Sequence, residues 1–424
     1  MRERMHQLVD EYERLGEGKS IAEQELLVIE FGKQIQRLMM QEMVEKGERG
    51  TGSGEEGKGV KKTCGGCGKE LKGSRSHRVK IGSLWGEVEV QRYRYRCGCG
   101  HQGQGYRDES LDESGYLPEC LRRIHGTTLR MSYREAEAWL GEWGVKVGKS
   151  SLQVLGIRLE QHEQGLSREG LTQRAQQPLK GREGERGRRW CVEVDGCLVA
   201  TQVEGGIEWR EVKSAVVYPM RCPSQRYYVS ALTTATAFAP QVHGLLRHAG
   251  LRQSDTLIGL SDGAAWIAEL FGELGVHRHI LDVYHASTYL DTLMTGLGYS
   301  DAHRQEQRQA LLRGEISIQR WLNLNLREQP INPEAHKALH FLQKQAHLDH
   351  TDYPRFKREG IEVIGSGQIE GANKHVIGQR LKITGAHWSE SGASAKALVR
   401  SRFFSHSPVI PFHTVRHAAF PPAA

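Results

Sequence analysis

Between residues 190 and 283 the hydrophobic period alternates in a way that limits the fold more than any other feature of the chain. Residues 190–203, 208–219 and 225–233 read as three strands, followed by a helix near 239–249, a strand at 256–261, a helix at 264–274 and a strand at 278–283. Three strands and then helix, strand, helix, strand predict an α/β domain. The next segment, 286–360, reads as largely helical, with LDTLMTGL, RQALLRG, ISIQRWLNLNL and EAHKALHFLQKQAHL.

Three acids stand where such a domain would open a cleft. Asp195 follows the β-formers Val192 and Val194, with Val199 close behind, so it can project from a strand. Asp262 leaves the apolar run Leu257, Ile258, Leu260 and meets a glycine. Glu370 lies four residues past Ser366, a helix N-cap candidate, and helical spacing places Asn373, Lys374 and Ile377 on its face. Separations of 67 and 108 residues leave room for a helical insertion before Glu370. Carboxylates are the donors that Mg2+ prefers, and two such ions suit phosphodiester chemistry. Glu193, two residues before Asp195, is a rival on the same strand face. Asp282 and His285 form a D-x-x-H pair at the end of the last strand, read as site-adjacent.

These residues resemble the DDE transposases of bacterial insertion sequences, most closely the ISKra group. The resemblance rests on DG at Asp195 and Gly196, WREVK (209–213), SDGAAWI (261–267), ILDVYH (280–285), GSGQIEGANK and RLKITGAHWS (365–389), in that order. It covers about residues 60–400. It implies an RNase H-like catalytic domain over 190–405, with the helical insertion at 286–360. Asp195, Asp262 and Glu370 would be the catalytic acids and would hold two Mg2+ or Mn2+ ions for strand cleavage and strand transfer without a covalent protein intermediate. Trp388 matches the family's GxxW tryptophan, able to stack on a base or to plug the core. Lys374, Arg380 and Lys382 would meet the DNA backbone.

Upstream, Cys64-Gly-Gly-Cys67 and Cys97-Gly-Cys99 are joined by a hairpin containing GEVEVQRYRYR, the pattern of a zinc ribbon spanning 63–118. Cys64, Cys67, Cys97 and Cys99 are its candidate Zn2+ ligands, with His101 able to replace one sulfur. Arg92, Arg94 and Arg96 share one strand face, a row of cations suited to phosphates. Residues 119–174 read as a helix-turn-helix: Ser132 with Glu135 forms a capping box, Gly144 ends a helix, and Ser150 with Gln153 predicts a second box. Lys149, Gln153 and Arg158 are its candidate DNA contacts. An ordinary helical hairpin is the competing reading. Residues 1–46 predict one or two amphipathic helices, 47–62 and 175–189 linkers, and 406–424 a tail.

The net charge is +7, concentrated in 121–190, with fourteen basic against eight acidic residues, and in 361–424, with seven against three. Those segments are the expected DNA-facing ones. No apolar run approaches a membrane span and the first residues lack a signal-peptide core, so the expected setting is the bacterial cytoplasm, at the nucleoid, with reduced cysteines. The expected partners are double-stranded DNA at element ends and at the target, bound by a homodimer or higher oligomer. The alternative is a domesticated, catalytically inactive DNA-binding protein.

Overall fold

The computed structural model describes residues 2–49, 61–64, 67–106, 108, 110–181, 186–327 and 329–406. Most of the expected linker at 47–62, part of that at 175–189 and nearly all of the tail lie outside the described residues. The chain forms two compact units, residues 1–163 and 164–410 with the last residues assigned to the first.

In the first unit, α1 (Arg2–Gly16) and α2 (Ile21–Arg49) form a helical hairpin, with Tyr12 and Phe31 rings 5.2 Å apart. A four-stranded antiparallel sheet follows in the order β1 (Lys61–Thr63), β2 (Glu70–Ser83), β3 (Gly86–Arg96), β4 (Gln102–Tyr106). Because β4 pairs only with residues 92–96, the earlier half of β3 has an open edge, and α2 covers it. Gln41 both donates to the Glu89 carbonyl (3.1 Å) and accepts from its N–H (2.8 Å), replacing the bonds of a missing strand. Met40 and Val44 add apolar contact over Ile81, Val88 and Val90.

Helices α3 (Pro118–Arg130), α4 (Tyr133–Glu142) and α5 (Lys149–Ala175) come next. The Ser132 and Glu135 capping box is present, and Gly144 takes φ +84 in the turn after α4. The second expected box is not formed: α5 starts at Lys149, so Ser150 lies inside it. Leu152, Leu155 and Leu159 are buried along α5 at the expected helical spacing.

The second unit is built on a mixed sheet in the order β7 (Tyr227–Ala231), β6 (Gly206–Pro219), β5 (Arg189–Val203), β8 (Thr256–Ser261), β9 (Arg278–Leu281). The first three are antiparallel, and β8 and β9 run parallel to β5. Strand alternation divides β5 between two cores. Trp190, Val192 and Val194 pack with α6 (Ala235–Ala249) and α7 (Ala265–Glu273). Cys191, Cys197 and Val199 pack on the opposite face, which is covered by α8 (Val283–Gly296), α9 (Asp301–Leu312), α10 (Ile318–Asn325), α11 (Pro333–His347) and α12 (Tyr353–Arg358). Glu193 and Asp195 share the parity of this second face.

The chain closes with α13 (Gly367–Ala372), a π-helical turn over Asn373–Gly378, α14 (Gln379–Leu381), β10 (Trp388–Ser389) and α15 (Glu390–Phe404). Short β10 adds to β5 in parallel at Thr201 and Gln202.

Candidate metal centres

The sheet register sets Asp195 and Asp262 side by side. Glu193 pairs with Leu260 across the parallel strands β5 and β8, and each aspartate stands two residues beyond that rung. Each is followed by glycine for a different reason. A Cβ on Gly196 would fall 2.1 Å from the Glu211 carboxylate, which would have to swing away to admit it. Gly263 takes φ +91, which lets Asp262 Oδ1 accept from the Ala264 N–H at 2.9 Å. Ser261 Oγ, bonded to His279 (2.8 Å), braces the same turn by accepting from the Gly263 N–H (3.1 Å).

The segment that carries Glu370 is tied to β5 at two points, one in α13 and one in the π-helical turn that follows it. Glu193 accepts from the Ile369 N–H at 2.9 Å, and Asn373 Nδ2 donates to Asp195 Oδ2 at 2.7 Å. Glu193 is fully buried and also accepts from the Tyr218 hydroxyl. Burial pushes its carboxyl up to about 7, so it acts as a strut between strand and helix, not as an open ligand. Ser366 stands at the N-cap position without a side-chain cap; its N–H instead donates to Asp282 Oδ1 at 2.7 Å. Of the residues expected on Glu370's face, Lys374 is exposed as Glu370 is, but Ile377 does not share that face. The π-helical turn changes the angular step, leaving Lys374 exposed and Ile377 fully buried.

Asp282 follows β9 and caps α8. Its Oδ2 accepts from the His285 N–H (2.9 Å) and is 3.1 Å from His285 Nδ1, while Oδ1 holds Ser366. Burial would raise this carboxyl, but the donors outweigh it and hold it below the ordinary value. Ligand atoms of Asp282, His285 and Glu370 lie within 4.8 Å of one another. Since both oxygens of Asp282 already accept N–H groups and the residue is fully buried, Asp282 is the anchor of that trio. The carboxylate–imidazole pair has the form that fixes metal-ligating histidines. His285 is raised, first by its bond to Asp282 and further by the charges of Asp262 and Asp195. Asp195 itself is pushed up to about 6, chiefly by burial, with the Asp262 charge adding to it. Among the described residues the ligand group that includes Glu370 is the one with Asp282 and His285, not one with Asp195 and Asp262; carboxylate oxygens in either place are the hard donors that Mg2+ and Mn2+ take.

The expected DNA contacts divide. Lys374 and Lys382 are exposed, as are Lys149, Gln153 and Arg158 on α5. Arg380 is a correction: it is 3 % exposed, its guanidinium 4.9 Å from the centre of the Trp388 ring, and so not a surface contact. Trp388 packs against the core, donates to the Leu381 carbonyl (3.1 Å) and is also met by Lys396 at 5.8 Å. It is partly buried, its ring met by two cations. On β3, Arg94 and Arg96 are exposed, but Arg92 is partly buried, paired with Glu113 and stacked over Tyr106.

In the first unit the two cysteine pairs occupy the turns between β1 and β2 and between β3 and β4, at one end of the sheet. Cys64 and Cys99 sulfurs are 3.6 Å apart, Cys67 and Cys97 sulfurs 3.4 Å, and all four lie within 4.8 Å. A tetrahedral zinc with bonds of ~2.3 Å spaces its sulfurs about 3.8 Å apart. The C-x-C pair fits because Gly100, at φ +89, folds its N–H back onto the Cys97 carbonyl (3.0 Å). The Cys99 backbone N–H, followed by the Cys67 thiol, lowers Cys97 to about 7. The cluster contains the four cysteines and not His101.

No family model matches the chain, and no curated protein matches it. Among solved structures it is similar to a chain of the crystal structure of the Mos1 strand transfer complex, at 11 % identity and a TM-score of 0.15, covering 54 % of this chain and 75 % of that one. A likeness at that score carries no argument. Among the described residues no helix is long and apolar enough to cross a membrane.

Proposed function

We propose that this chain is a DDE-type DNA transposase that cleaves and joins DNA at the ends of a mobile element, through a metal centre formed by Asp195, Asp262 and Glu370. The observation that carries this reading is the placement of Asp195 and Asp262 two residues past the Glu193–Leu260 rung of adjacent parallel strands, with the helical segment that carries Glu370 tied to Glu193 and Asp195. Support also comes from the strand order. Three antiparallel strands followed by two parallel to the first, in spatial order 3-2-1-4-5, are what an RNase H-like domain requires. The exposed basic residues of α5 and the cysteine cluster supply groups for holding DNA outside the reacting phosphate.

In this reading Asp195 and Asp262 face the ions from the sheet and Glu370 from the helix, while Asp282 orients His285 toward the same acids. Bound divalent ions supply activation of water, or of a 3′ hydroxyl, and charge stabilisation on the leaving oxygen. Glu193 holds the helix at its working distance.

The test is incubation of purified protein with DNA flanking its own gene in Mg2+ or Mn2+, beside Asp195→Ala, Asp262→Ala and Glu370→Ala. Nicking at defined ends by wild type alone, with DNA binding retained in all four proteins, is the expected result. Binding without cutting by wild type would leave a DNA-binding protein and reject the enzyme.

A further inference from the structure

The acidic triad leaves one polar atom beside it without a role. Asn373 Nδ2 donates to Asp195 Oδ2 at 2.7 Å, and its Oδ1 is buried with no hydrogen-bond partner among the described residues. An ionised carboxylate accepts hydrogen bonds, so it takes the amide's N–H side and the carbonyl oxygen must face elsewhere. The residue stands three positions after Glu370, at the first position of the π-helical turn, on the helix that Ile369 ties to β5. A buried amide oxygen without a donor is rare enough to call for an explanation. Here the chemistry within reach is cationic: amide carbonyl oxygens are hard donors that ligate Mg2+, Mn2+ and Ca2+ alongside carboxylates.

We propose that Asn373 is a fourth member of the metal centre, fixing Asp195 through Nδ2 while presenting Oδ1 as a neutral oxygen ligand to an ion held by Asp195. This rests on the metal-centre reading above and adds a ligand to it. A neutral donor in place of a further carboxylate limits the charge of a site that already holds three acids, one of which is resisting ionisation.

The simpler alternative is that Asn373 only positions Asp195, and the two roles separate by substitution. Asn373→Ala removes donor and acceptor; Asn373→Asp removes the donor but keeps an oxygen ligand. The probe is Mn2+ alone, titrated into the full-length, zinc-replete protein and followed by loss of the free-ion electron paramagnetic resonance signal. Wild type should take up Mn2+, Asn373→Ala should bind about tenfold or more weakly, and Asn373→Asp should bind at least as tightly as wild type, with a larger Mn2+-induced rise in Tm. Equal weakening in both variants would reduce Asn373 to a positioning residue, and no change in either would remove it from the site. Should Asn373→Ala lose its circular dichroism signature, Asn373→Ser replaces it with the same expectation. If wild type binds no more Mn2+ than Asp195→Asn does, the metal centre itself is refuted; if wild type binds normally and the Asn373 variants match it, only this inference fails.

Discussion

Asp282 gathers two backbone N–H donors and an imidazole nitrogen on two oxygens, and its substitution should therefore read as a fold defect first. Asp282→Ala removes the α8 cap and strands the buried Ser366 N–H; the expected loss is about 3 kcal/mol or more in urea unfolding. Asp282→Asn, which keeps one acceptor, should recover part of it. A fall in Mn2+ affinity with unchanged stability would instead make Asp282 a ligand. The D-x-x-H spacing was legible in the sequence, but the anchoring role was not, because its third donor comes from Ser366, 84 residues away. A second residue-scale outcome concerns His279 and His350, whose ring centroids lie 3.9 Å apart, the rings tilted by 39°, behind the Asp262 turn. Burial lowers them to about 3 and about 4. The unfolded chain takes up these protons near the ordinary value of 6.5, so the pair's contribution is complete above that pH and is lost as pH falls toward 4. The loss is at most about 1.4 kcal/mol per pH unit for each ring, less after solvent screening. His279→Phe, placed beside Phe271, should thus lose less stability than wild type between pH 7 and pH 5. Parallel denaturation midpoints for the two proteins would reject this account.

Among the elements, the π-helical turn decides how the last acid is presented. Its carbonyls at His375 and Val376 are claimed by Arg400, a fully buried residue of α15. Arg400→Met would leave those carbonyls without a charged donor, for an expected cost of about 2–4 kcal/mol in urea. Because the turn carries Asn373 against Asp195, Mn2+ uptake should weaken in the same variant; weakened stability with intact uptake would show that α13 keeps its place alone. Helical periodicity located Glu370 and its helix from sequence, then misplaced Ile377, since a period of 3.6 residues assumes no inserted residue. A similar local limit moved the start of α5: Lys149 opens the helix, and the Ser150–Gln153 spacing that imitates a cap falls inside its first turn. The resemblance puts Arg380 on the DNA backbone and leaves Trp388 between stacking on a base and plugging the core. Only their mutual stacking shows that each occupies the other.

For the molecule as a whole, the two units predict separable stabilities. The four sulfurs close a small sheet whose buried cluster at that end is Cys64 with Tyr95, so zinc should supply folding energy there. Metal analysis should find one zinc per chain, and Cys64→Ser or chelation should lower one calorimetric transition by several degrees while leaving that of residues 164–410 in place. A single transition that moves as one would mean the units unfold together. The order of strands and helices in 190–283 was readable because alternation and helical period are local properties of the chain. The buried polar contacts were not, since Glu193, Asp195 and Asp282 each receive a donor from residues 366–373, more than 80 positions later. That separation has a consequence during synthesis. A ribosome that has released everything up to residue 365 has produced a sheet whose three inward carboxylates each still lack a donor, and whose third acid does not yet exist. The candidate metal centre is therefore completed by the same few residues that relieve those carboxylates, so a chain ended before them lacks both Glu370 and the donors.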